Sequence, residues 1–194
     1  MIEAATAVFV ERGYGGATLD EVIRRSGGSR ATLYQQFGGK EGLFAAIIGQ
    51  ICSDILTPLS QAEASERTPE AVLLAFGRSF MAGLMRPEGL ALYRVLIGEG
   101  EPFPELATAV YRSGPTVAAA QLATHLRRWH AENRVTIEDF DVAAKQFLEM
   151  IKGDLHFRAL LRLDPTPTEE EIDLSVRSAV RLFLLGAYRE VNAD

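Results

Sequence analysis

Between Thr18 and Lys40 the chain gathers side chains that bond to nucleic acids. Thr18, Ser29, Thr32, Tyr34, Gln35 and Gln36 carry hydroxyls and amides, Arg30 and Lys40 carry cationic donors, and Ala31 presents a methyl group. Arginine can donate two bonds to a guanine edge, and a threonine methyl can meet that of thymine. Hydroxyls, amides and lysine can hold phosphates and set the register of a protein on the duplex. From Val22 to Lys40 the cations are Arg24, Arg25, Arg30 and Lys40, with no acidic residue among them, whereas the whole chain of 194 residues carries 20 basic and 26 acidic residues, a net charge of −6. Bulk charge therefore repels DNA, but a local basic patch can still neutralise several phosphates and release their counterions.

Two short helices must position these groups. Thr18 followed by Glu21 is a capping-box spacing, and Leu19, Val22 and Ile23 share one helical face. Gly27 and Gly28 stop that helix, because glycine takes the left-handed conformation without a Cβ penalty. Ser29 is a suitable cap for the next helix, in which Leu33 and Phe37 lie four apart and point inward. Helix, glycine turn, helix is the helix-turn-helix pattern, whose second helix enters the major groove with its first residues toward the base edges. Arg30, Ala31, Thr32 and Gln35 are the expected base-facing residues.

The remaining punctuation is helical, and the expected fold class is all-α. A first helix covers Ile2 to Glu11. A fourth begins near Lys40, carries Leu43, Phe44, Ile47, Ile48, Ile51 and Ile55, and stops at Pro58. Thr68-Pro69-Glu70 is a cap followed by proline at the first helical position. That helix ends near Pro87, shorter ones follow over Leu90–Ile97 and Pro104–Arg112, and a longer one runs from the Ser113-Gly114-Pro115 break to about Glu132. Thr136 with Asp139 and Thr168 with Glu171 open two last helices, separated by the linker Asp164-Pro165-Thr166-Pro167. The final helix is apolar on more than one side as far as Val191, so two of its faces need covering. Phe140, Phe147, Ile151, Val176, Ala179, Val180, Phe183 and Ala187 are the expected contacts, with a partner subunit or with the chain's own body.

No catalytic constellation emerges. His125 and His130 are five apart, off the i, i+4 spacing that puts two ligands on one helix face, and neither a G-x-S-x-G, a phosphate-binding glycine loop nor a CxxC pair occurs. Neither an enzyme activity, a metal nor a cofactor is expected. The single cysteine, Cys52, cannot form an internal disulfide, the start has no secretion-signal pattern, and no uninterrupted apolar run is long enough to span a bilayer. The expected location is the cytoplasm, without membrane contact.

Residues 3 to 48 resemble the DNA-binding domain of tetracycline-repressor (TetR-type) regulators, through AAxxxFxERGYxxAT, the two-helix turn, and S-x-x-TLYxxF-xxKExLF. The segments LYRVLIGEGEPFPELATAVYRSGP and AAKQFLEMIKGDLHFRALL resemble the C-terminal body of AefR-like members. The resemblance implies a homodimer with a DNA-reading head over 1–42 and a helical body over 43–194 that binds a small effector and releases operator DNA. It places Thr18, Tyr34, Gln36 and Lys40 against phosphates. It places two helices per subunit in a four-helix dimer bundle, and Phe76, Phe80, Leu84, Tyr93, Leu96, Tyr111, Trp129, Phe147, Met150 and His156 on the helices lining an apolar effector pocket. Three departures stand out: Gly28 where an aliphatic plug is usual, Gly39 where Ser or Asn caps the next helix, and a start at Met1-Ile2 almost inside the first helix. The alternative is an all-helical small-molecule-binding protein or enzyme whose helix-turn-helix is vestigial.

Overall fold

A computed structural model describes residues 1–62, 68–163 and 167–186. The described residues form ten helices and no strand: α1 (Ile2–Gly16), α2 (Leu19–Ser26), α3 (Arg30–Phe37), α4 (Lys40–Ala62), α5 (Pro69–Met85), α6 (Pro87–Glu99), α7 (Pro104–Ser113), α8 (Pro115–Ala131), α9 (Phe140–Leu160) and α10 (Glu169–Gly186). They fall into two compact units. The first comprises Met1–Ser53 and Met85–Val117, and the second Asp54–Leu84 and the chain from Ala118 onward. The division falls inside α4, not at residue 42, and α6 and α7, expected in the body, cluster with the N-terminal helices.

The first unit is built around aromatic rings. Phe9 meets Phe44 edge-on at 4.9 Å, and Tyr14 packs at 5.0 to 5.8 Å from Phe103, Phe44 and Phe9. Ala5, Val8, Val22, Leu33, Leu43, Ile47, Leu92, Leu106 and Val110 complete the same core. Tyr14 reaches it because Gly13 takes φ +71° and interrupts α1, a conformation that glycine alone adopts readily. At Gly28 a side chain would stand 2.5 Å from the Met1 Cε atom. Met1, packed on this core, thus takes the space of the missing aliphatic plug.

The second unit carries its own aromatic core. Phe76, Phe80, Phe147 and Phe183 pack with neighbouring rings 4.8 to 6.4 Å apart across α5, α9 and α10. At Gly77 a Cβ would stand 2.7 Å from Val176 Cγ1 and 3.3 Å from Ile151 Cδ1, so the absence of a side chain lets α5 approach both C-terminal helices.

Several helix boundaries differ from expectation for local reasons. α4 continues through Pro58 to Ala62. Proline removes the N–H that would bond the carbonyl four residues back, here that of Asp54, and the Ser79 hydroxyl donates to this carbonyl instead at 3.4 Å. α9 runs to Leu160, with Gly153 at φ +47° breaking its phase. Its cap is Asp139 alone, accepting from Asp141 and Val142 N–H, not a Thr136–Asp139 pair. The box at Thr168 closes in both directions: Thr168 N–H donates to Glu171 at 2.8 Å, and Glu171 N–H to Thr168 Oγ1 at 3.2 Å. The expected linker residues Asp164, Pro165 and Thr166, together with Ala187 and Val191, lie outside the described residues.

α4 has the length and, with a mean hydropathy of 1.5 over its most apolar stretch, the composition of a membrane-crossing helix. Its Leu43, Phe44 and Ile47 are buried in the core of the first unit, as in the core helix of a globular domain.

Candidate nucleic-acid interface

The turn between α2 and α3 has the geometry that its sequence demands. Thr18 Oγ1 accepts from Glu21 N–H at 3.3 Å, Gly27 closes α2 at φ +69°, and Ser29 Oγ accepts from Thr32 N–H at 3.0 Å. The capping box at Thr18 closes in one direction only. The Glu21 carboxylate turns to Arg25 at 2.5 Å and does not reach back to the cap. Gly38 ends α3 at φ +74°, returning its N–H to the Tyr34 carbonyl.

α3 buries Leu33 completely and Phe37 in part, and leaves the rest of its surface open. Ser29, Arg30, Ala31, Thr32, Tyr34, Gln35 and Gln36 are all exposed, as is Thr18 at the start of α2. All the expected contact residues except Lys40 are therefore open to solvent. Thr32 and Ser29 join their hydroxyls at 2.8 Å, which orients the start of the helix.

The basic residues divide into two groups. Arg25 is spent internally: it clamps Glu11 of α1 at 2.6 and 2.8 Å and also holds Glu21. This fork pulls the Glu11 carboxyl below its usual range, first through the hydrogen bond from Arg25. Arg24 and Arg12 stay exposed, each 3.8 Å from Glu21; sequence reasoning missed Arg12, which stands on α1 outside the motif. Arg30 pairs with Asp20 on the surface. Lys40, expected on phosphate, donates to the Gly15 carbonyl at 3.3 Å and sits 4.6 Å over the Tyr14 ring. Its half-buried position lowers its pKa through desolvation, with the nearby Glu99 charge acting in the opposite direction.

The expected effector residues are distributed over both units. Tyr93, Leu96 and Tyr111 belong to the first, where Leu96 packs on the head's core and Tyr111 is largely exposed. Phe76, Phe80, Leu84, Trp129, Phe147, Met150 and His156 belong to the second. Phe76, Phe147 and Trp129 are fully buried, and Leu84 is partly buried. The Trp129 indole N–H finds no acceptor among the described residues. His156 is buried, and its pKa is pushed down to about 4, chiefly by desolvation and then by the Lys152 charge.

The expected interface residues face inward. Phe147, Ile151, Val176, Ala179, Val180 and Phe183 are all buried in the second unit's own core, and Phe140 is taken up by a ring contact with His130 at 5.4 Å. Instead, α9, its C-cap Leu161 and α10 leave Met150, Phe157, Leu161, Leu174, Leu182 and Leu185 exposed. A groove between them is lined by Met150, Asp154, Leu155, Leu174, Ser175, Ser178, Ala179 and Leu182 among others. Met150 thus belongs to a surface groove and not to a buried pocket.

Comparison with known proteins agrees with this architecture. The family model of bacterial regulatory proteins of the tetR family matches residues 1–47. That of the AefR-like transcriptional repressor C-terminal domain matches residues 71–190. The HTH-type transcriptional activator FasR of Mycolicibacterium smegmatis is 37% identical over 62 residues, covering 32% of this chain and only 28% of that protein's length. A solved TetR-family transcriptional regulator from Mesorhizobium loti MAFF303099 superposes with a TM-score of 0.81 at 25% identity, covering 95% of this chain and 93% of that one. The Flavonoid-responsive Regulator FrrA superposes with a TM-score of 0.75 at 30% identity, covering 98% and 96%.

Proposed function

The chain belongs to the tetR family of bacterial regulatory proteins, with an AefR-like C-terminal domain, and from that premise we propose that it is a cytoplasmic, homodimeric, ligand-released DNA-binding repressor. The observation that carries this reading is α3. Leu33 and Phe37 hold the helix down, and its first turn and outer face present Arg30, Ala31, Thr32, Tyr34, Gln35 and Gln36 to solvent. A recognition helix needs such an open surface to meet base edges and phosphates.

Dimerisation is assigned to the exposed face of α9 and α10. Glu171, Leu174, Ser178, Leu182 and Leu185 recur at three- and four-residue steps along α10, and Met150 and Asp154 of α9 border the same groove from either side of the Gly153 break. Helical seams that pair with another helix show this spacing. A second copy would cover the apolar side chains, with Ser175 and Ser178 allowing close approach. In such a dimer the two recognition helices meet successive major grooves about 34–36 Å apart.

The effector is an apolar, aromatic or amphipathic molecule. The phenylalanine-rich interior of the second unit supports this, since ligand pockets are mostly apolar with few orienting polar groups. The fully buried indole N–H of Trp129 is a donor that a ligand acceptor would satisfy. FrrA responds to flavonoids by its description, and planar phenolic compounds are the class to screen first. Release requires that the ligand bind the DNA-incompetent state better than the competent one. α4, from Lys40 to Leu56, is the two-state element in this reading. Operator must then weaken effector binding by the same factor that effector weakens operator binding. Calorimetry of effector binding with and without operator tests this; identical affinities would leave a constitutive DNA-binding protein.

A further inference from the structure

Glu99 is the last residue of α6, where the helix dipole disfavours a carboxylate. The carboxylate is used elsewhere. Its two oxygens accept the main-chain N–H groups of Tyr14 at 2.9 Å and Gly15 at 2.5 Å. The glycines around it make room for this contact. A Cβ on Gly13 would run into the carboxylate, and one on Gly15 would stand 3.1 Å from Glu99 Oε2 and 3.4 Å from the Phe103 ring. On the far side of the same backbone segment, Lys40 donates to the Gly15 carbonyl and covers the Tyr14 ring. Lys40 opens α4 immediately after the recognition helix and the Gly38-Gly39 turn. One node thus joins the end of α6, the last turn of α1 beyond its Gly13 break, and the first residue of α4, all within the first unit.

We propose that Glu99 is a positioning residue for DNA reading: by holding the Tyr14 and Gly15 amides, it makes the placement of the α2–α3 pair depend on where the end of α6 stands. The inference rests on the DNA-binding reading above. Glu99 touches no reading residue on α3; it acts through the backbone of residues 14 and 15 and through Lys40. An ionised carboxylate accepting two amides is a strong, directional anchor. Replacing it with an amide of the same shape substitutes a donor for one acceptor and sets N–H against N–H.

The test uses the full-length chain and a duplex recovered by selection from a random-sequence library with the wild-type protein. Glu99→Gln should raise amide exchange across residues 13–17 and weaken binding to that duplex about tenfold, the scale of one lost charge-assisted bond. The slope of affinity against salt should not change, because no phosphate contact is removed. Glu101→Gln, two residues on and exposed, should do neither. Gly15→Ala, which crowds the carboxylate from the other side, keeps the proposal testable if Glu99→Gln folds poorly, and the two changes combined should cost less than their sum. Unaltered exchange and wild-type affinity in Glu99→Gln would overturn the proposal. So would tighter binding, which would show that Glu99 acts only as a charge repelling phosphate. Failure of the wild type to enrich any duplex would instead overturn the DNA-binding reading itself, and the proposal with it.

Discussion

Arg30 and Asp20 face each other across the turn between α2 and α3, guanidinium to carboxylate, with both side chains mostly exposed. The residue proposed to read a base is thus held by an acid on the neighbouring helix in the absence of DNA. An exposed pair of this kind is worth about 0–1 kcal/mol, so it orients Arg30 without imprisoning it. Asp20→Asn should free the arginine and remove a negative charge near the phosphates, tightening DNA binding by a few-fold in fluorescence anisotropy. Weaker binding would mean that the pair pre-orders Arg30 for its base.

Lys40 has a structural partner on the protein as well as an expected phosphate. Its contact with the Tyr14 ring and the Gly15 carbonyl should make Lys40→Met cost about 0.5–1 kcal/mol in urea unfolding. The same variant should flatten the slope of log affinity against log salt by about one unit if Lys40 reaches phosphate on DNA. Loss of stability with an unchanged slope would confine Lys40 to the head's core.

The reading head was legible in the sequence because caps and turns are local. Thr18, Gly27, Ser29 and the inward pair Leu33 and Phe37 act within a few residues of themselves, and each stands as its type requires. The body's faces were not legible in the same way. Phe183 and Leu182 are adjacent and equally apolar, yet one is buried and the other exposed. Spacing shows that a helix has two apolar sides but not which side turns inward, and Gly153 rephases α9 midway. The fate of Arg25 depends on Glu11, 14 residues earlier, and that of Tyr14 and Gly15 on Glu99, more than 80 residues later. Pairings of that reach leave no local signal.

The two sides of α10 should respond differently to charge. Leu182→Glu should give a folded monomer by sedimentation, because its side chain is solvent-exposed in the isolated subunit. Phe183→Glu should unfold the chain, because it would bury an unpaired charge against Phe147. A dimeric Leu182→Glu protein would place the interface elsewhere.

Acid should act through His156. Its folded pKa of about 4 lies below the usual 6.5 of an unfolded chain. The neutral ring is the form the fold accepts, so its contribution is fully present above pH 6.5 and is lost as pH falls toward 4. By linkage the loss is on the order of 3 kcal/mol across that window. His156→Gln should flatten this part of the stability–pH curve measured by urea unfolding. An unchanged curve would assign the acid sensitivity to other groups.

Gly77 should tolerate no side chain. Gly77→Ala sets a methyl against Val176 and Ile151, and overpacking of this kind costs about 1–3 kcal/mol. Adding Val176→Ala should recover part of that loss. Strict additivity of the two changes would show that α5 shifts to make room.

The central claim, that α3 reads DNA, is tested most directly by titrating the wild-type chain and Arg30→Ala against a selected duplex and its single-base variants at several salt concentrations. The wild type should bind with a steep salt dependence, and Arg30→Ala should lose about 1–3 kcal/mol and discriminate less at one base pair only. Equal loss on every sequence would make Arg30 a phosphate contact. A wild-type chain with neither salt-dependent binding nor sequence preference would contradict the assignment of the helix-turn-helix as a working reading head.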